Sequence, residues 1–295
     1  MHMRFVLIGL LCLSCGDESS SGSGGAGGSG GAGGSGGSDG GGLNLPVPQT
    51  DGDDLDVGHF ERLRVGLVGD TRPAVSGGVY PTQIITHIYQ ELDARAPDFA
   101  VSLGDYVFVS PSNLAMAKAQ MMTYLGARGN FHGNVYYVVG NHEGYGDNIV
   151  AFRQTMSNAA YFSVHGTVGT QTFKFVIVAD DVWTPQEEVW IKQALAKQTT
   201  YTFICRHHPS YNTDTNEMYI LSVLQPFART LLIDGHTHLY QRQASREIVI
   251  GNGGAPLDSS YYGYVLLDVD PAGSVTVTSY RESDDAQMET FSVTP

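Results

Sequence analysis

Five apolar runs in this chain each lead into a short cluster of metal-ligating side-chain types, and that recurrence restricts the fold more than any other feature. Arg64–Val68 runs into Gly69-Asp70, Phe99–Leu103 into Gly104-Asp105, and Asn134–Val139 into Gly140-Asn141-His142-Glu143. Tyr201–Cys205 runs into Arg206-His207-His208-Pro209, and Thr230–Ile233 leads to Gly235-His236-Thr237-His238. α/β proteins collect binding groups beyond the carboxyl ends of buried strands. Five strand ends bearing Asp, Asn and His therefore predict one shared site on an α/β fold.

Helical patterns alternate with these strands. Pro81–Leu92 carries an apolar stripe of Ile84, Ile85, Ile88 and Tyr89, and Asn113–Leu125 is a second helix. Thr184-Pro185-Gln186-Glu187 is a helix start, with a capping hydroxyl, Pro at the first position and Glu at the third. That helix reaches about Ala196 and is expected to bury Val189, Trp190, Ile191 and Leu195. Phe173–Ala179 is a further strand and Met218–Leu224 a short helix. Glu247–Ile250, Tyr261–Asp268 and Ser274–Tyr280 make the end of the chain strand-rich.

The N-terminal stretch stands apart. Met1–Arg4 is a short basic start, Phe5–Leu13 an apolar core too short to span a bilayer, and Ser14-Cys15-Gly16 follows. Residues 1–14 are expected to be a signal peptide. A small residue directly before Cys15 resembles a bacterial lipobox, which implies a lipidated Cys15 and attachment to a membrane; ordinary export with cleavage elsewhere is the other reading. Residues 16–42 hold 15 of the 37 glycines, interleaved with Ser and Ala, and no side chain there can build a core. Residues 15–58 are accordingly expected to be an anchor and a linker without fixed structure, with one folded domain over 59–295. The expected location is the cell envelope or the exterior. Once the export segment is removed, Cys15 and Cys205 remain, so the fold cannot depend on internal disulfides. Cys205 lies in an apolar run and reads as a core residue.

The formal charge is −14, with 16 Lys plus Arg against 30 Asp plus Glu and no basic run. That excludes the broad positive surface that nucleic acids require. A single phosphate group can still be bound locally where metal ions supply the positive field. The candidate ligand-bearing set is Asp70, Asp105, Asn141, His142, His207, His208, His236 and His238. Its Asp, Asn and His chemistry suits one or two ions of Zn, Mn or Fe better than Ca or Mg. Residues two apart in an extended segment face the same side, so His236 and His238 could reach two neighbouring ions. His2, His59, His87, His132 and His165 follow no such strand and read as surface or hydrogen-bonded histidines.

Taken in order, Gly69-Asp70, Gly104-Asp105, Gly140-Asn141-His142-Glu143, His207-His208-Pro209 and Gly235-His236-Thr237-His238 resemble the calcineurin-like metallophosphoesterase superfamily. Ile204, Pro209, Tyr211, Tyr240, Arg242 and Gly251-Asn252-Gly253-Gly254 add a narrower likeness to purple acid phosphatases, and the resemblance covers residues 62 to 282. It implies a four-layer α-β-β-α sandwich and hydrolysis of small phosphate monoesters or diesters by a metal-activated water. It also implies that Asp105 bridges two ions, one held by Asn141, His207 and His236 and the other by Asp70 and His238. The cofactors so implied are divalent or mixed-valence ions. His142 would stand beside the phosphorus as a catalytic group with Asp105 and Arg72, and Arg72, Asn141, His142 and His208 would surround the substrate.

The chain departs from that pattern at the first motif. The family mostly reads Asp-x-His, with the His a ligand, and purple acid phosphatases use a Tyr three residues beyond the second Asp. Here the residues are Arg72 and Phe108. A guanidinium has no lone pair for a metal, so the ion beside Asp70 and His238 should bind more weakly. Arg72 has three readings: a clamp on substrate phosphate, a partner for an Asp or Glu on a loop, or the mark of a site that binds without turnover. The last corresponds to a non-catalytic surface lipoprotein on the same scaffold.

Overall fold

Alternation along the buried strands divides their side chains between two apolar layers, and that division dictates the architecture. The computed structural model describes residues 43–258 and 261–295. Strands β1 (Asp54–Phe60) and β2 (Leu63–Val68) come first, then helix α1 (Thr82–Ala94), β3 (Phe99–Ser102), α2 (Leu114–Arg128), β4 (Asn134–Tyr137) and α3 (Asp147–Thr155). β5 (Phe162–Val168), β6 (Gln171–Ile177), α4 (Pro185–Ala196), β7 (Tyr201–Cys205), α5 (Thr215–Leu224) and β8 (Leu231–Asp234) follow. β9 (Tyr240–Ala244), β10 (Glu247–Ile250), β11 (Gly263–Asp270), β12 (Ser274–Arg281) and β13 (Gln287–Val293) complete the described chain.

One sheet has the order β1-β5-β6-β7-β8-β10-β9 and the other β13-β12-β11-β2-β3-β4. Val65, Leu67, Phe99 and Val101 of the second sheet share a core with Phe173, Phe175, Phe203, Cys205, Leu231 and Ile233 of the first. The intervening residues face outward. Val68 and Ala100 pack with Ile85, Ile88, Met121 and Phe152 of α1, α2 and α3, whereas Val176, Ile204 and Leu232 pack with Ile191 and Ile220 of α4 and α5. Period-2 strands with both faces apolar therefore produce helix, sheet, sheet and helix layers. β2, β3 and β4 run parallel, as do β6, β7 and β8, so the polar clusters gather at the carboxyl ends of both sheets.

Two expectations change. Residues 43–58 belong to the fold: β1 pairs in parallel with β5, and Leu45 and Val57 enter the inter-sheet core. The Asp-rich run that reads as linker is the solvated face of an edge strand, with Asp54, Asp56 and Gly58 pointing outward. On α4, Val189 is exposed and the carboxylate of Glu187 is fully buried, accepting the N–H of Ala179 at 2.8 Å. The Thr184 cap does accept the N–H of Glu187, with Pro185 in the first turn. Lys174 on β6 donates to the carbonyls of Ala194 (2.7 Å) and Lys197, satisfying acceptors left at the α4 C-terminus. Among the described residues no helix is long and apolar enough to cross a membrane. The expected signal peptide, Cys15 and the glycine-rich tether lie outside the described residues.

Candidate metal centre

Three of the site residues stand in left-handed backbone: Asp70 (φ 57°), Asp105 (φ 59°) and His236 (φ 71°). Such a conformation in non-glycine residues is strained and persists only where surrounding contacts impose it. Each follows a glycine at a crowded strand end. A Cβ on Gly69 would lie 2.1 Å from the Ile250 carbonyl, and one on Gly104 would lie 2.7 Å from His207 Nδ1. The Gly-Asp pairs are thus the sequence trace of two sheets converging at one point.

The clustered atoms are nearly all acceptors. His207 Nδ1 lies 2.8 Å from the Leu103 carbonyl, so it carries the ring proton and Nε2 is left with a lone pair. That Nε2 is 3.0 Å from Asn141 Oδ1, 3.3 Å from His236 Nδ1 and 3.3 Å from Asp105 Oδ1. His236 Nδ1 is also 3.2 Å from Asn141 Oδ1. One proton can serve a single pair among these four atoms, whereas one cation serves all of them. Asp70, Asp105 and His207 bring one ligand atom each to within 4.8 Å of one another. Asp70 Oδ2 accepts the N–H of His236 at 2.8 Å, but its buried Oδ1 has no hydrogen-bond partner among the described residues. The donor set fits a divalent ion held by nitrogen and oxygen ligands.

Electrostatics point the same way. Burial, with the Asp105 carboxylate beside it, pushes the Asp70 carboxyl well above its usual range. Burial opposes ionisation of Asp105 too, but His207, His142 and Arg72 outweigh it and hold its pKa low. Burial, reinforced by His207 and His208, drives His236 down to about 3, and burial likewise lowers His142 and His238. Imidazoles kept neutral present lone pairs, which is the form that ligates.

His236 and His238 do diverge toward two neighbouring positions, yet not through an extended segment. Thr237 N–H donates to the Gly235 carbonyl across His236, a three-residue turn. His238 Nδ1 lies 2.7 Å from the Pro256 carbonyl, and its Nε2 faces Arg72 Nη2 at 3.3 Å and Asp70 Oδ1 at 3.8 Å. Arg72 Nε donates to Asp105 Oδ2 at 3.2 Å. Its carboxylate partner is therefore the central aspartate of the site, in the loop after β3. His142 sits with Nε2 3.8 Å from Asp105 Oδ2 and its ring edge-on to Phe108.

Both ring nitrogens of His208 already face partners within the protein. Its Nε2 bonds Asp181 at 3.1 Å, its Nδ1 lies 2.9 Å from Asn212 Nδ2, and its ring packs on His236. Burial disfavours its charge, but the Asp181 hydrogen bond and nearby carboxylates outweigh this and raise it to about 9. Tyr211 bonds Thr237 at 3.0 Å at the rim of the site, while Tyr240 turns away to Glu289. His59, His87, His132 and His165 each lie against a carboxylate away from the cluster.

Two supporting residues had no role in the sequence reading. Glu143, the last residue of the Gly-Asn-His-Glu run, accepts the N–H groups of Asp105, Tyr106, Val107 and Gly140 at 2.8–3.1 Å. The run itself was the available signal. Arg206 is fully buried between Asp180 (3.1 Å), Glu217 and Asp234, behind the β7 and β8 strand ends that carry His207 and His236. Its place before His207 gave no sign of this.

The profile of the calcineurin-like phosphoesterase family matches residues 63–240. The chain belongs to that family. The matched segment runs from β2 into β9 and contains every residue of the cluster. Purple acid phosphatase from yellow lupin (Lupinus luteus) seeds has the same fold, with a TM-score of 0.61 at 15% identity over 83% of this chain. The chain spans 55% of the lupin protein's length. A dimetal phosphatase from Danio rerio aligns with a TM-score of 0.58 at 14% identity, over 79% of this chain and 98% of its own. No curated protein sequence matches. At family level the chemistry is metal-dependent phosphoester hydrolysis.

Proposed function

We propose that this phosphoesterase hydrolyses small phosphate monoesters or diesters outside the cytoplasm. The observation that carries the reading is the convergence of His207 Nε2, His236 Nδ1, Asn141 Oδ1 and Asp105 Oδ1, next to His142. A bound Zn, Mn or Fe ion would supply Lewis-acid charge against the phosphoryl oxygens and acidify a water. Asn141 turns Oδ1 to the histidines, which leaves its amide N–H groups to donate to a phosphoryl oxygen. His142 is anchored from its backbone N–H to Asp105 Oδ1 at 3.3 Å, with its ring partly open, placed to hold or transfer a proton at the leaving oxygen. Export and membrane attachment rest on the pattern of residues 1–42.

The test is turnover of a generic aryl phosphate monoester and diester by metal-stripped protein reloaded with Mn, Zn or Fe. Hydrolysis that needs the ion and is lost in His142→Ala and His207→Ala is the expected result. No turnover with any ion, or with a ferric–divalent pair, would leave a non-catalytic metal-binding protein on this scaffold.

A further inference from the structure

Arg72 contacts both Asp105 and His238. His238 Nδ1 carries the ring proton, since it faces the Pro256 carbonyl, so Nε2 offers its lone pair to Arg72 Nη2. Asp105 is divided: Oδ1 faces His207 Nε2 at 3.3 Å, and Oδ2 accepts from Arg72 Nε at 3.2 Å. Of the three groups expected around a second cation, His238 and Asp105 already turn an atom to a guanidinium, and only Asp70 does not. The Phe108 ring centre lies 4.6 Å from Arg72 Cζ, and Nη1 donates to the Pro73 carbonyl at 3.1 Å. The two residues that depart from the family pattern are thus in contact, and the aromatic face that cannot ligate supports the cation that needs no ligand.

We infer that Arg72 is the resident cation of the second metal position, so that the centre works with one metal ion and one guanidinium. This rests on the phosphoesterase reading above. The physical reason is competition for the same acceptors. Arg is charged at all accessible pH and tied to the chain, and a second ion would have to strip it from Asp105, His238 and Phe108 together. Of its five N–H groups, three are bound within the protein, leaving one on each terminal nitrogen for the oxygens of a phosphate. Asp70 then stands with Asp105 and His207 to serve the remaining ion.

The experiment counts metal. Stripped wild type, Arg72→His, and Arg72→His/Phe108→Tyr are titrated with Mn or Zn by calorimetry, and bound metal per chain is measured after desalting, with circular dichroism as the folding check. One equivalent in wild type and two in the double variant is the expected result. Two equivalents in wild type, or a folded double variant still at one, overturns the inference and leaves the phosphoesterase reading standing. Should the double variant not fold, the wild-type count alone decides. Zero equivalents in wild type sinks both.

Discussion

The carboxylate of Glu143 accepts the main-chain N–H of Asp105 at 2.9 Å, so the residue that closes the turn after β4 fixes the residue that opens the site after β3. Glu143 is fully buried, and burial with the nearby Asp105 charge pushes its carboxyl well above the usual range. Four N–H groups depend on it. Each buried donor left unpaired costs about 1–3 kcal/mol, so Glu143→Ala should lose at least about 3 kcal/mol in denaturant unfolding and weaken metal binding. Glu143→Gln keeps an acceptor oxygen and should fall between the two. Wild-type stability in the alanine variant would remove Glu143 as the brace of the Asp105 loop.

His207→Ala should reduce bound metal more than Asp70→Ala. His207 Nε2 faces three other acceptor atoms within 3.3 Å, whereas Asp70 spends one oxygen on the His236 N–H. The loss of affinity in His207→Ala should exceed the roughly 10–100-fold that removing an outer partner of a ligand costs. Metal titration of both variants measures the ranking, and His132→Ala serves as a remote control.

His142→Ala should separate chemistry from metal binding. Its ring lies beside Asp105 but outside the four-atom convergence. A positioned proton donor contributes about 10²–10⁴ in rate. kcat should therefore fall by that amount while metal content and KM change little. Equal losses of metal and rate would make His142 a ligand instead.

Lys174 should leave a signature in stability against pH. Its folded pKa is lowered to about 8, chiefly because burial disfavours the ammonium, while an unfolded lysine titrates near about 10.4. Between those values the unfolded chain binds more protons, so this residue's contribution rises with pH from about 8 upward. Lys174→Met should flatten that rise. The comparison is the wild-type minus variant difference in Tm between pH 8 and 9.5, since buried tyrosines oppose it once unfolded phenols ionise near about 10. A difference that shrinks or stays constant over that range refutes the assignment.

Intact-mass measurement of membrane-extracted protein tests the N-terminus. The expected mature chain starts at Cys15 and carries added acyl mass. A chain cut elsewhere, without that mass, removes the anchor and leaves simple export.

The strand ends, their order and the ligand types were legible in the sequence because each is a local property. Two-residue alternation marks the buried strands, and Gly-Asp marks turns too crowded for a Cβ. Thr184 as a cap and Cys205 as a core residue follow from the same short-range rules. What the side chains do to one another was decided only by tertiary structure. Arg72 meets Asp105 across 33 residues and His238 across 166, and no local rule reaches that far. His208 and His207 are neighbours in sequence and both pack against His236, yet one turns to Asp181 and the other to Asn141. β1 was hidden for a related reason: an edge strand with acidic outward positions has the composition of a linker until β5 supplies its hydrogen bonds.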